Sequence, residues 1–124
     1  MYGDPNQEVV YRILELLPTI EEAFLHINDQ LTELRLEESE KLFVDAMRAI
    51  SNIAGNLARL APRQDETGLI QDTADLREAI GWMIDGYETG KLETLQTVLT
   101  GCLLPAFRIW RQQVEKMVQP AILS

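Results

Sequence analysis

The stretch that decides the fold is residues 10–34, "VYRILELLPTIEEAFLHINDQLTEL". Its apolar residues recur at alternating intervals of three and four, which places them on one side of a helix. These residues are Val10, Ile13, Leu17, Ile20, Phe24, Ile27, Leu31 and Leu34. A stripe of this kind is typical of a helix that buries one face in a bundle. With Asp4 as N-cap and Pro5 in the first turn, it predicts a first helix over residues 5–35.

A second apolar stripe predicts a helix over residues 39–61. This stripe is out of phase with the first, so we expect a tight turn around residues 36–39. No glycine or proline marks that turn, which leaves one continuous helix through both segments as an alternative. Pro62 ends the second helix in this interpretation, because a proline disfavours helical geometry in the residue before it.

Two more helices are predicted in the second half of the chain, over residues 67–87 and 91–119. The segment "GYETGK" between them contains Gly86 and Gly90, which supply the backbone freedom of a turn. Pro120 is expected to end the fourth helix.

Short connections between four amphipathic helices favour antiparallel neighbours. The predicted fold is therefore all-α, an antiparallel up-down-up-down four-helix bundle. A chain of 124 residues forms one domain, residues 1–124, and is long enough to bury a core without disulfides or a metal ion.

The tripeptide Leu-Leu-Pro occurs twice, at residues 16–18 and 103–105. A proline inside a helix removes one hydrogen bond and clashes with the carbonyl four residues earlier, at a cost of about 3 kcal/mol unless the helix bends. We therefore predict kinks at Pro18 and Pro105, with Gly101 easing the second. If the first and fourth helices are antiparallel, the two prolines are expected at one level of the bundle.

The apolar pattern of the fourth helix also changes near its proline. Two successive steps of four residues, from Leu99 to Leu103 and from Leu103 to Phe107, interrupt the alternation of three and four. Such a stutter shifts the supercoiling locally. The kinks at the proline level let two long helices wrap one core, and opposed kinks would also be able to enclose a small ligand cavity.

The charge balance excludes several classes of partner. The chain has 11 Lys and Arg residues against 20 Asp and Glu residues, a net charge of -9. This acidic chain is a poor match for nucleic acid or an anionic membrane, which bind basic surfaces. The sequence contains no signal peptide pattern and no apolar run of the roughly 20 residues that span a bilayer. A single cysteine suits a reducing compartment, so we expect a cytoplasmic protein.

Residues that could carry chemistry are sparse. His26 is the only histidine and Cys102 the only cysteine, so neither has a second copy with which to form a catalytic or metal site. No hydrolase, P-loop or dinucleotide-binding motif occurs in the sequence. We therefore expect no catalytic residue, no cofactor and no metal, and a protein that is not an enzyme.

Three apolar residues outside the main stripes are candidates for partner contact: Trp82, Leu104 and Ile109. They predict a protein–protein interaction or scaffold module that binds another protein or forms a homodimer. One alternative is an export or flagellar-type chaperone that shields an amphipathic segment of its partner. The other is a bundle that binds a small ligand or a metal at the proline level.

The segment "ETGKLETLQTVLTGCLLPAFRIW", residues 88–110, resembles the closing part of small uncharacterised helical-bundle proteins of Gram-positive bacteria. The residues that carry the resemblance follow the "YETGK" turn and are Leu95, Leu99, Leu103, Leu104, Pro105 and Trp110. It covers the last third of the chain and, more loosely, the second helix. The resemblance implies a helical bundle and a bacterial cytoplasmic setting, and it implies no activity.

Overall fold

The computed structural model describes residues 5–60 and 68–123, with side chains described for residues 6–60 and 68–119. These residues form four helices and no strand, so the all-α prediction is confirmed for this part of the chain. The first three helices are α1, Pro5–Thr32, α2, Leu36–Leu60, and α3, Leu69–Thr89. The fourth, α4, joins the α-helical segment Leu92–Val98, the π-helical segment Leu99–Leu103 and the α-helical segment Leu104–Leu123. The predicted cap Asp4 and the predicted stop at Pro62 lie outside the described residues.

The turn between α1 and α2 comes earlier than predicted. Leu34 has a left-handed backbone, with φ of 63°, which ends α1 at Thr32. The Arg35 N–H donates to the carbonyl of Gln30 at 2.8 Å, and the Leu34 N–H donates to that of Leu31 at 3.0 Å. This pair of bonds is the Schellman arrangement, in which glycine usually takes the left-handed position. The predicted turn at residues 36–39 and the alternative of one continuous helix are therefore wrong, and Leu34 is 73% exposed rather than in the core.

The turn between α3 and α4 uses only one of its two glycines. Gly90, with φ of 68°, donates its N–H to the carbonyls of Gly86 and Tyr87, so α3 reaches Thr89 rather than residue 87. Gly86 lies inside α3 and is buried. A Cβ atom there would lie 2.8 Å from Cδ2 of Leu95, so α3 and α4 approach closely at this glycine.

The stutter in α4 takes the form of a π-helical turn. The Leu104 N–H donates to the carbonyl of Leu99, five residues earlier, directly before Pro105, which has no N–H to donate. The longer turn takes up the one extra residue that separates the apolar residues before it from those after it. The prediction that Pro120 ends the helix is wrong, since α4 continues to Leu123. Proline's fixed φ is itself compatible with a helix, at the loss of a hydrogen bond.

One continuous core fills the bundle, and the predicted stripe of α1 is buried from Val10 to Leu31. At its centre the rings of Phe24 and Phe107 meet edge to face, with centroids 5.3 Å apart. This contact contradicts the predicted level match of the prolines. Pro105 is two residues from Phe107, whereas Pro18 is six residues from Phe24, a rise of about 9 Å along α1. The two aromatic rings also occupy the interior where a cavity between opposed kinks had been considered.

The helices do not all pack equally closely. The backbone of α1 packs against α2 and α4, and α4 also packs against α3. Polar contacts join α1 to α4, where Gln96 donates to Thr32 and the guanidinium groups of Arg108 and Arg111 both contact Glu21. Over the described residues, the backbones of α2 and α3 approach each other closely at few points. This separation positions the candidate site.

Candidate partner-binding groove

A groove with a volume of about 540 Å³ lies between α2 and α3. Its apolar lining includes Met47, Ile50 and Ala54 from α2 and Leu76, Ile80 and Ile84 from α3. Among the described residues that line it, only Arg77 is charged. We call this surface the α2–α3 groove.

One end of the α2–α3 groove is closed by direct contact between the two helices. The Tyr87 hydroxyl donates to Oγ of Ser39 at 3.0 Å, and the rings of Tyr87 and Phe43 lie 5.4 Å apart. Ser39 is fully buried and donates in turn to the carbonyl of Leu36 at 2.7 Å. These contacts hold the N-terminal end of α2 to the C-terminal end of α3.

Beyond that junction, small side chains on α2 leave the groove open. Ser51, Ala54 and Gly55 line its α2 wall. A Cβ atom placed on Gly55 would meet no atom within 4 Å, so this wall does not reach α3. The groove is thus a consequence of side-chain size on one helix face.

Trp110 of α4 forms the floor of the groove and is 1% exposed. Its indole N–H donates to Oγ1 of Thr73 at 3.1 Å, and its ring lies 5.9 Å from that of Phe107. Because the N–H already has a partner, the buried indole is held in place beneath the groove. Trp110 is therefore a core residue that also borders the groove.

Exposed apolar side chains extend the apolar surface along the edge of the groove that α3 forms. Ile84 lines the groove and is 44% exposed, and Ile70 is 58% exposed. Ile70, Arg77 and Ile84 recur at intervals of seven residues, so they share one face of α3. The exposed apolar surface thus extends along α3 beyond the groove lining.

Charged residues differ between the two ends of the α2–α3 groove. Glu40 lies two turns before Met47 on the same face of α2, and Glu88 lies one turn after Ile84 on α3. Burial raises the pKa of Tyr87, the Ser39 hydrogen bond opposes that rise, and the negative charge of Glu40 adds to it. The field of Glu40 therefore reaches the closed end of the groove, whereas Arg77 lies about three turns away from Glu88 along α3.

The three residues predicted for partner contact lie on different surfaces. Trp82 is 44% exposed and lines a second, shallow depression of about 460 Å³ with residues of α3 and α4 and with Lys91, which lies between the two helices. Ile109 is 52% exposed on α4. Leu104 is only 5% exposed, so it belongs to the core and offers no surface to a partner. None of the three lines the α2–α3 groove.

Sequence reasoning missed the groove because α3 has two apolar faces. The buried face contains Leu76, Ala79, Met83 and Gly86. The second face, with Thr73 and Ile80, borders the groove. The groove could have been predicted from two sequence features taken together: the broad apolar surface of α3 and the small residues of α2.

The other residues considered for chemistry are scattered. His26 is exposed on α1, and Cys102 is a free, half-buried thiol in the π-helical segment beside exposed Gly101. Within residues 6–60 and 68–119, no group of three or more His, Cys, Asp and Glu side chains is arranged to hold a metal ion. In the same described part of the chain, no helix has the length and apolarity needed to cross a membrane.

The chain belongs to a family of domains of unknown function, DUF8042, whose sequence model matches residues 8–113. The match runs from the first turns of α1 into the last segment of α4, much further than the C-terminal third on which the resemblance was based. No curated protein sequence matches the chain, and no solved structure does either.

Proposed function

We propose that this domain is a protein-interaction module in which the α2–α3 groove receives the apolar face of a partner's helix. The observation that carries the proposal is an open groove with an apolar lining from α2 and α3, above the buried, hydrogen-bonded indole of Trp110. An amphipathic helix that lays its apolar face into such a groove is a recurring mode of peptide recognition.

The dimensions of the groove suit a helix. On α3 its lining extends from Thr73 to Ile84, eleven residues and therefore about 16 Å, or three helical turns. Three turns of an amphipathic helix present apolar residues at positions i, i+3 or i+4, and i+7, which matches a groove of this length. Ile84 is exposed at the edge of the groove, which favours a bound helix whose outer face stays in solvent.

The rest of the proposal follows from the sequence. The domain is non-enzymatic, works in a bacterial cytoplasm, and has neither nucleic acid nor membrane as its partner. An export or flagellar-type chaperone is one way to use the same groove, since such a protein also shields an amphipathic segment. A small ligand or metal at the proline level is less well supported, because the contact between Phe24 and Phe107 places Pro18 and Pro105 at different levels of the bundle.

The proposed architecture is the up-down-up-down bundle with bends at Pro18 and Pro105. Contacts between α1 and α4 support opposite helix directions. Thr32 meets Gln96 and Glu21 meets Arg111, so the partner numbers on α4 rise as those on α1 fall. The π-helical segment before Pro105 supports a local irregularity at the second proline.

A fluorescently labelled 16-residue helical peptide, with a leucine stripe and a neutral polar face, tests the groove. We expect saturable binding by fluorescence anisotropy. Ala54→Phe fills the groove and should weaken binding at least tenfold. The matched control Thr97→Phe adds the same ring at an exposed position of α4, and its affinity should stay within twofold of the wild type.

Circular dichroism melting of both variants separates a blocked groove from a misfolded chain. The proposal is wrong if no saturable binding is found up to about 1 mM peptide, a binding free energy of only about 4 kcal/mol. Equal weakening by Ala54→Phe and Thr97→Phe would also reject it.

A further inference from the structure

We infer that the α2–α3 groove selects a partner helix by charge, with a cationic residue at its closed end and an anionic residue beside Arg77. The inference rests on the proposed function and specifies the chemistry of the occupant. The occupant is an amphipathic helical segment of another protein, with an apolar stripe flanked by a Lys or Arg and by an Asp or Glu.

Two carboxylates lie near the closed end of the groove. Glu40 shares the groove face of α2 with Met47, and its charge reaches the hydroxyl of Tyr87 at the junction of α2 and α3. Glu88 follows Tyr87 on α3 and lies one turn beyond Ile84. Both carboxylates are on exposed residues, so a cationic side chain at the end of a docked helix can reach them.

The opposite charge lies at a definite distance. Arg77 lines the groove and precedes Glu88 by eleven residues, which is about 16 Å along α3. A docked helix that runs along α3 has the same rise per residue. It therefore meets both charges when its own cationic and anionic residues are also about eleven positions apart.

Arg77 in the groove lining and the carboxylates of Glu40 and Glu88 near the closed end are available to pair with a partner. No ion pair joins Arg77, Glu40 or Glu88 to another side chain of the described residues. Some other surface charges pair within the domain. Glu21, for example, is bound by both Arg108 and Arg111. A docked helix can thus form ion pairs at the groove without breaking existing ones.

The charge of the whole domain favours a foreign helix over a second copy. Each chain has a net charge of -9, so two copies repel each other as they approach. A partner segment with exposed cations is attracted instead, and this attraction weakens with salt.

Four peptides with one leucine stripe test the selection. They carry Lys and Glu, two Lys, two Glu, or two Gln at positions eleven residues apart. At about 20 mM salt, where the screening length is long, the Lys/Glu peptide should bind about fivefold to tenfold more tightly than the Glu/Glu peptide, as expected for one or two exposed ion pairs. The Gln/Gln peptide should lie between them.

Charge reversal of the domain provides the decisive comparison. With Glu40→Lys and Glu88→Lys together, the Glu/Glu peptide should become the tightest binder. With Arg77→Glu, the Lys/Lys peptide should do so. Glu93→Lys reverses an exposed charge on α4 outside the groove lining and should leave the ranking unchanged.

The outcomes separate the two proposals. Affinities of all four peptides within twofold, with Ala54→Phe still blocking them, would overturn charge selection and leave the groove function intact. No binding by any peptide would reject both. A wild-type dimer in light scattering that Ala54→Phe converts to a monomer would show that a second copy occupies the groove, which also overturns the inference.

Discussion

Gly86→Ala tests whether α3 and α4 approach as closely as the structure indicates. A methyl group at this position would lie 2.8 Å from Cδ2 and 3.1 Å from Cγ of Leu95. Leu95 is fully buried, so it cannot move aside into solvent. Alanine gains about 1 kcal/mol of helix propensity over glycine, whereas overpacking a core costs about 1–3 kcal/mol. We expect Gly86→Ala to lower the free energy of unfolding by about 1 kcal/mol in sum.

Gly81→Ala is the matched control in the same helix. A methyl group at Gly81 would meet no atom within 4 Å, so only the propensity gain of about 1 kcal/mol applies. The two variants should therefore differ by about 2 kcal/mol, or about 6–10 °C in Tm for a domain of this size. Urea unfolding followed by circular dichroism at 222 nm measures the difference.

A double-mutant cycle with Leu95→Ala identifies the cause. Truncating Leu95 alone should cost about 2–5 kcal/mol. In that background Gly86→Ala no longer meets the leucine and should stabilise by about 1 kcal/mol, like Gly81→Ala. Equal stabilisation by Gly86→Ala and Gly81→Ala in the wild-type background would refute the reasoning, and so would a cycle without coupling.

Three further substitutions test other parts of the fold. Tyr87→Phe removes the hydrogen bond to Ser39 and should cost about 1 kcal/mol in urea unfolding at pH 7. Burial raises the pKa of Tyr87, so its neutral hydroxyl stabilises the fold fully below about pH 10. This stabilisation is lost as the pH rises through the pKa of the folded state. At high pH the free energy of unfolding should therefore fall less for Tyr87→Phe than for the wild type. Phe107→Ala should cost about 3–5 kcal/mol and lower Tm sharply, since the ring is fully buried. Leu34→Gly should raise the free energy of unfolding by about 0.5–1 kcal/mol, because it relieves a left-handed leucine.

Each of these has a clear contradicting result. A constant difference between wild type and Tyr87→Phe from pH 7 to pH 11 would exclude the linkage. A loss under about 1 kcal/mol for Phe107→Ala would mean that the core repacks around the missing ring. Destabilisation by Leu34→Gly would show that the exposed leucine makes contacts that outweigh its strained backbone.

Periodicity predicted the helices because burial follows the apolar pattern in a bundle. The stripe from Val10 to Leu31 is buried as expected, as are Leu95, Leu99 and Leu103 in α4. The pattern failed at the α1–α2 turn, where Leu34 continues the stripe in sequence but adopts a left-handed backbone. Glycine is the usual signal for that conformation, and a leucine in its place hides the end of the helix.

The groove was beyond the reach of periodicity. A stripe on α3 shows which residues avoid water, and it does not show whether α2 lies close enough to cover them. That distance depends on how α2 packs on α1 and how α3 packs on α4, and the small residues Ala54 and Gly55 leave the space between them unfilled. Trp82 was the more conspicuous sequence feature, but it lies in a different depression.

The π-helical segment Leu99–Leu103 affects how the chain tolerates insertions and deletions. It contains one residue more than an α-helix needs to join the two halves of α4 in their present orientations. Losing one residue within this segment would leave both halves with their apolar faces inward. Losing one anywhere else in α4 would rotate one half by about 100° and turn its apolar face away. An alignment gap of one residue at positions 99–103 is therefore compatible with the same bundle, and it marks the one point along α4 where chain length can vary without repacking the core.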